Sequence, residues 1–241
     1  MKKKVIALLL ATTMAFSLAA CGGGNNQGGD NSSSQNGTEG TDNAGGGSEE
    51  KILSVQIGPD PETIDPALNS AVDGGNMLLH SFECLLTVGE DGQLTEGQAE
   101  SWDTSEDGLT WTFHLRDGLK WSDGSDLTAN DFVYSWKRVC DPEVAAPYAE
   151  TVLGMVEGYD KAIEGELDAL QVKAEDDKTL VVTLSSPCTY FGSLAAFATL
   201  SPVQEATIEA NGDGWATSAE TYISNGSFYV SEWVPGSHIL M

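Results

Sequence analysis

The sequence predicts a mixed α and β fold, and three observations carry that prediction. Apolar residues recur at period two in short runs such as Trp111, Phe113 and Leu115. They recur at helical spacing in others, such as Phe132, Val133, Trp136 and Val139. Gly, Pro, Asn and Asp punctuate the boundaries between the two kinds of run.

Taken in order, Lys51 to Ile57 puts Leu53, Val55 and Ile57 on one face of a strand, and Gly58-Pro59-Asp60-Pro61 ends it. Asn76 to Leu86 carries Met77, Leu78, Phe82 and Leu85 at helical spacings, which predicts a short helix. Trp102 to Arg116 folds about Asp107-Gly108 as a hairpin with one apolar face. Thr128 and Asp131 form a capping-box pattern with Asp in place of Glu, opening a helix that Asp141-Pro142 closes. Val172 to Ala174 and Leu180 to Leu184 flank Glu175-Asp176-Asp177-Lys178 as a second hairpin. Ser224 to Trp233 reads as a strand through Phe228, Val230 and Trp233, and His238 to Met241 after Pro235-Gly236 as the second arm of a hairpin.

The 241 residues hold 11 Lys and Arg against 37 Asp and Glu, a formal net charge of -26. Binding nucleic acid requires clustered cations to neutralise phosphates, so this balance excludes that class of partner. At the amino terminus Lys2, Lys3 and Lys4 precede an apolar run from Val5 to Leu18, too short to span a bilayer and suited to an export signal. It ends in Leu18-Ala19-Ala20-Cys21, which resembles the lipobox of bacterial lipoproteins, with cleavage before Cys21 and a diacylglycerol on its thiol. An ordinary Ala-x-Ala signal site with an incidental cysteine is the alternative. Residues 22 to 50 are Gly, Asn, Ser, Thr, Gln and acidic residues, too polar to repay ordering. Such a coil spans roughly 30 Å, enough to hold a domain off a membrane.

With Cys21 committed to lipid, Cys84, Cys140 and Cys188 remain, an odd set that gives no disulfide framework and at most one bridge. Their spacings, with His80, His114 and His238, match no zinc site, so no metal is expected and no other cofactor. Asp123, Asp126 and Asp131 lack EF-hand spacing and suit turn and helix-cap duty instead. No Gly-x-Ser-x-Gly elbow occurs, and His114 lies on the polar face of its strand, which argues against nucleophilic catalysis. Trp121, beside a turn, is read as structural. Tyr148 differs from the other aromatics because it follows Ala145-Ala146-Pro147 between two helix signals, where a phenol can project from a loop to bind.

Residues 99 to 138, from Ala99-Glu-Ser-Trp through Trp111, Asp117-Gly-Leu-Lys-Trp-Ser-Asp-Gly and Asn130-Asp-Phe-Val-Tyr-Ser-Trp-Lys-Arg138, closely resemble the signature of the family 5 extracellular solute-binding lipoproteins. These are the oligopeptide-binding components of ABC importers. The resemblance extends through Thr63-Ile64-Asp65-Pro66, Phe82-Glu83, Asp141-Pro142, Ser185 to Tyr190, Ser201-Pro202 and Asn225-Gly226-Ser227-Phe228.

It implies an α/β clamshell of the type II periplasmic-binding-protein kind, a first lobe with a family-specific inserted α+β domain. Residues 51–83 and 207–241 would form the first lobe and 84–206 the insert, behind a signal peptide (1–20) and a lipidated cysteine with its linker (21–50). The second lobe would follow Met241, making this an amino-terminal portion that binds peptide poorly by itself. By position, Ser70-Ala71-Val72 matches the segment that pairs with the peptide backbone, and Tyr148 matches a tyrosine of the ligand pocket. Ser70 stands where the peptide-binding type has an acidic residue, and Ser227 where the family usually has proline, so peptide length or substrate class is expected to differ. The implied protein is a monomeric, non-enzymatic receptor, lipid-anchored on the outer face of the bacterial cell membrane or its periplasmic side. It would capture oligopeptides for an ABC permease; a sensor or adhesin on the same scaffold, and a lipoprotein hydrolase, are the alternatives.

Overall fold

A computed structural model of the chain describes residues 52–241; the signal, Cys21, the linker and Lys51 lie outside the described residues. In chain order, helix α1 (Val72–Ser81) precedes a small hairpin, β1 (Leu86–Val88) and β2 (Leu94–Glu96). Strands β3 (Ala99–Thr104) and β4 (Thr110–Leu115) lead into α2 (Ala129–Cys140), α3 (Ala149–Leu153) and α4 (Tyr159–Ala162). After β5 (Val172–Asp176) and β6 (Thr179–Thr183) come α5 (Phe191–Leu194), α6 (Glu205–Asn211) and a closing hairpin, β7 (Glu232–Val234) and β8 (His238–Leu240).

The two predicted central hairpins merge into one antiparallel sheet of order β3-β4-β6-β5. Register places Phe113 opposite Trp102 on one side and Leu180 on the other, with Trp111 opposite Thr104 and Val182. Trp111, Phe113 and Leu115 all point into the core, as their period-two spacing requires. Helix α2 covers that face against β5 and β6. Phe191 fills the space between, its ring 5.5 Å from Trp111 and 6.2 Å from Trp136. The Asp131 carboxylate accepts the Thr128 backbone N–H at 2.7 Å, so the shorter acid serves as the box's return arm. Burial pushes the Asp131 carboxyl up from its ordinary range, against those cap hydrogen bonds. Asp123 accepts the Ser125 N–H within its turn, Asp126 pairs with Lys120, and Trp121 is buried.

Two polar clusters, one buried and one half-buried, fasten the segments before residue 84 and after residue 206 to the sheet and α2. In one, Asp65 takes a bidentate pair from Arg138 on α2, at 3.0 and 2.6 Å, while also accepting the Ala67 N–H and the Trp215 indole N–H. The Trp215 ring stacks on Tyr222, whose hydroxyl donates to the Ile64 carbonyl at 3.1 Å; burial pushes that phenol's pKa up. In the other, Asn225 accepts the Glu83 N–H and donates to the Glu83 carbonyl, and the Glu83 carboxylate meets Arg116. A Cβ on Gly226 would lie 2.5 Å from the Ser81 backbone, so only glycine admits this approach.

Three expectations need correction. The strand expected from Lys51 to Ile57 does not form over its described part, residues 52–57: among the described residues no partner pairs with the segment, and Leu53 and Val55 stand 84% and 75% exposed. Alternation supplies a face but not the ladder a strand needs. The helix expected over 76–86 runs instead from Val72 to Ser81 and stops at extended Phe82. Phe82 and Leu85 are buried from extended chain, because the Asn225 bonds to Glu83 draw the backbone out of the helix there. Ser224 to Ser231 is not a strand either: Gly226 and Phe228 donate to the carbonyls of Ser81 and His80, leaving Phe228 52% exposed. Only the β7–β8 arms pair, about Pro235-Gly236. The β1–β2 hairpin around Glu90-Asp91-Gly92 has strands too short for periodicity to mark.

Candidate functional site

Ser70, Ala71 and Val72 lead into α1, all three exposed and Val72 81% so. Ala71 is extended, with φ -114° and ψ 154°. Asn69 folds back on it: its amide donates to the Ala71 carbonyl at 3.1 Å, and its side-chain oxygen accepts the Ala71 N–H at 3.4 Å. Neither backbone group of Ser70 nor the N–H of Val72 has a hydrogen-bond partner among the described residues. In an extended chain residues 70 and 72 face the same way, and Asn69 engages the residue between them. A Cβ on Gly74 would collide with Asn69 and with the Thr63 carbonyl, so the helix sits directly on the loop that carries Asp65. The sequence pattern gave Asn69 no role; an Asn two residues ahead of an extended helix entrance was the available signal.

Tyr148 caps α3 and is half-buried. Its ring meets Phe197 edge-on, 5.4 Å between centroids at 71°. Its hydroxyl has no hydrogen-bond partner among the described residues. The loop before it holds Ala145 at φ 53°, a left-handed conformation that costs a non-glycine residue roughly 1–2 kcal/mol. Phe197 opens the short turn Ala198–Leu200, which packs against α1. Sequence reasoning also passed over Phe197, which nothing but its alanine neighbours separates from a core aromatic.

A groove of about 910 Å³ lies elsewhere, along Tyr134, Lys137, Arg138 and Asp141 of α2 and the loop 165–169. Neither Ser70–Val72 nor Tyr148 lines it, and both of its cations are already paired, Lys137 with Asp168 and Arg138 with Asp65. His114 donates or accepts at Asp103 across the β3–β4 pair, 3.1 Å away, which is the cross-strand role its face predicts. Among the described residues, no group of three or more His, Cys, Asp or Glu is placed to hold a metal ion.

With that geometry in place, comparison with known proteins is informative. Solved structures share the fold at substantial identity: Haemophilus influenzae OppA in complex with the peptide RPPGFSPFR superposes with a TM-score of 0.72 at 37% identity, covering 76% of this chain and 36% of that one. The Escherichia coli murein tripeptide binding protein MppA gives 0.71 at 35% identity, covering 75% and 36%. The fold is therefore that of a type II periplasmic binding protein, in its first lobe. Residues 93–241 match the model for bacterial extracellular solute-binding proteins, family 5 Middle, and the chain belongs to that family. The periplasmic oligopeptide-binding protein OppA of Escherichia coli is 41% identical over 197 residues, 80% of this chain and 36% of that protein. The Escherichia coli protein YgiS, described as probably deoxycholate-binding, is 38% identical over 193 residues, 79% of this chain and 36% of its own length. The chain thus spans about a third of the length of these relatives.

Cys84, Cys140 and Cys188 are free thiols, the last two buried. Cys84 donates to the Phe197 carbonyl at 3.4 Å, and desolvation pushes its pKa up to about 11; desolvation likewise takes Cys140 to about 12. A raised pKa keeps the thiol protonated and unreactive at neutral pH. Titration of the native protein with a thiol reagent at pH 8 should therefore leave Cys84 and Cys140 unmodified for far longer than in denaturant. Reaction should accelerate toward pH 11, and fast labelling of either thiol at pH 8 contradicts the geometry.

Proposed function

We propose that this chain is the ligand-capturing portion of a lipid-anchored solute-binding receptor that takes up oligopeptides and delivers them to an ABC permease. The observation that carries the proposal is the extended entrance to α1, where Ser70 and Val72 offer unpartnered backbone groups on one side. Peptides present the same N–H and C=O groups whatever their side chains, so pairing with this segment gives affinity without sequence dependence. Tyr148 would flank the ligand. In this reading residues 51–83 and 207–241 form the first lobe, 84–206 the inserted domain, and the ligand is held between this lobe and a second one. Capture requires no bond to be made or broken, so the chain acts as a monomeric binder and not as an enzyme.

Signal cleavage before Cys21 and diacylglycerol on its thiol would anchor the receptor to the outer face of the cell membrane or its periplasmic side, with residues 22–50 as tether. No helix among the described residues is long and apolar enough to cross a membrane. Ser70, in place of an acidic residue, and the kinship to YgiS both bear on ligand class, and a bile-acid competitor belongs in the binding assay.

Val72→Pro tests the pairing cleanly. Val72 is the first residue of α1 and follows extended Ala71, a position where proline fits helix geometry and removes only an N–H the helix does not use. Calorimetry should show thermal stability within about 0.5 kcal/mol of the parent. Peptide affinity should fall roughly two- to tenfold, the value of one hydrogen bond; unchanged affinity removes Val72 from the site. Separately, Cys21→Ala should abolish incorporation of radiolabelled fatty acid and release the protein from membranes while its melting stays unchanged. Continued labelling refutes the lipid anchor.

A further inference from the structure

Phe197 is 41% exposed, and its backbone is hydrogen-bonded on both sides. Its N–H donates to the Leu194 carbonyl at 2.9 Å, and its own carbonyl accepts the Leu200 N–H at 2.8 Å and the Cys84 thiol at 3.4 Å. The ring is braced edge-on by Tyr148. Both rings rise from stretches that lack bulk and charge: Ala195-Ala196 and Ala198 flank Phe197, and Ala145-Ala146-Pro147 and Ala149 flank Tyr148. An exposed aromatic edge, braced by a second ring and flanked in sequence by small side chains, loses less entropy than a long flexible side chain when a partner packs on it.

We propose that Phe197 is a specificity-determining residue, forming with Tyr148 the floor of a subsite for an apolar, preferentially aromatic, side chain of a bound peptide. The proposal rests on the peptide-binding reading above and adds a side-chain preference to it. Backbone pairing at Ser70–Val72 accepts any peptide. The aromatic floor ranks them. Acidic side chains are disfavoured there twice over, by an apolar surface and by a chain of formal charge -26.

The test uses the 241-residue chain, its amides and its Phe and Tyr rings isotope-labelled, titrated into the millimolar range with Gly-Phe-Gly or Gly-Gly-Gly and followed by NMR. The expected result is that both tripeptides shift the amides of residues 70–72, while only Gly-Phe-Gly shifts the Phe197 and Tyr148 rings and binds roughly two- to tenfold more tightly, the preference of an edge-to-face aromatic pair. Phe197→Ala should erase that preference and keep the amide shifts. Phe197→Leu, which conserves apolar volume, carries the decision if the alanine variant loses its dispersed spectrum, and should show a reduced preference. Equal affinities with unmoved rings overturn the subsite and leave backbone pairing standing. No shift at rings or amides with either peptide overturns both.

Discussion

The Asp65 carboxylate is the point on which the rest of this structure hangs. It is 3% exposed and its Arg138 partner 11%, so both charges have been taken out of water, a loss that only a complete set of partners makes good. The set is complete here: two guanidinium hydrogen bonds, one backbone N–H and one indole N–H converge on two oxygens. Each donor comes from a different element. Arg138 brings α2 and the sheet beneath it, Trp215 brings the segment after α6, and the Ala67 N–H closes the loop that Gly74 presses against. The proposed binding segment at Ser70–Val72 begins three residues beyond that loop's Ala67, so this pair positions the chain that leads into it.

The family motifs gain a physical meaning from the same contacts. Thr63-Ile64-Asp65-Pro66 and Trp136-Lys137-Arg138 are the two halves of one ion pair, and Phe82-Glu83, Arg116 and Asn225-Gly226 are the parts of a second fastener. Ser201-Pro202 leads to Val203, whose N–H donates to the Ser135 hydroxyl at 2.7 Å, while the Trp136 indole donates to the Leu200 carbonyl at 3.0 Å. The most recognisable residues in the sequence are therefore scaffold. The groups proposed above for a ligand, Ser70, Val72, Tyr148 and Phe197, lie outside those fasteners.

That division explains what the sequence disclosed. The β3–β4 and β5–β6 hairpins and α2 were legible because local signals decide them: alternation, a turn dipeptide, a capping pattern. The end of α1 was not, since Phe82 and Leu85 keep helical spacing while distant partners, Asn225 at Glu83, 142 residues away, and Gln98 and Ala99 at Cys84 and Leu85, hold the chain straight. Residues 51–57 and 224–231 carry convincing strand patterns, but a strand is decided by its partner, which no local pattern records. For the proposed site, position within the family motif suggested Ser70–Val72 and Tyr148. Asn69 and Phe197 needed the fold, because their roles are contacts with those residues rather than features of their own neighbourhoods.

A double-mutant cycle between Asp65 and Arg138, read by urea unfolding, tests most directly whether this pair fastens the frame. Asp65→Ala and Arg138→Ala should each cost about 3–5 kcal/mol, because each strands a buried charge. The double variant should cost clearly less than the two together, by roughly 1–3 kcal/mol of coupling. Single losses below about 1 kcal/mol that simply add would place the fastening elsewhere.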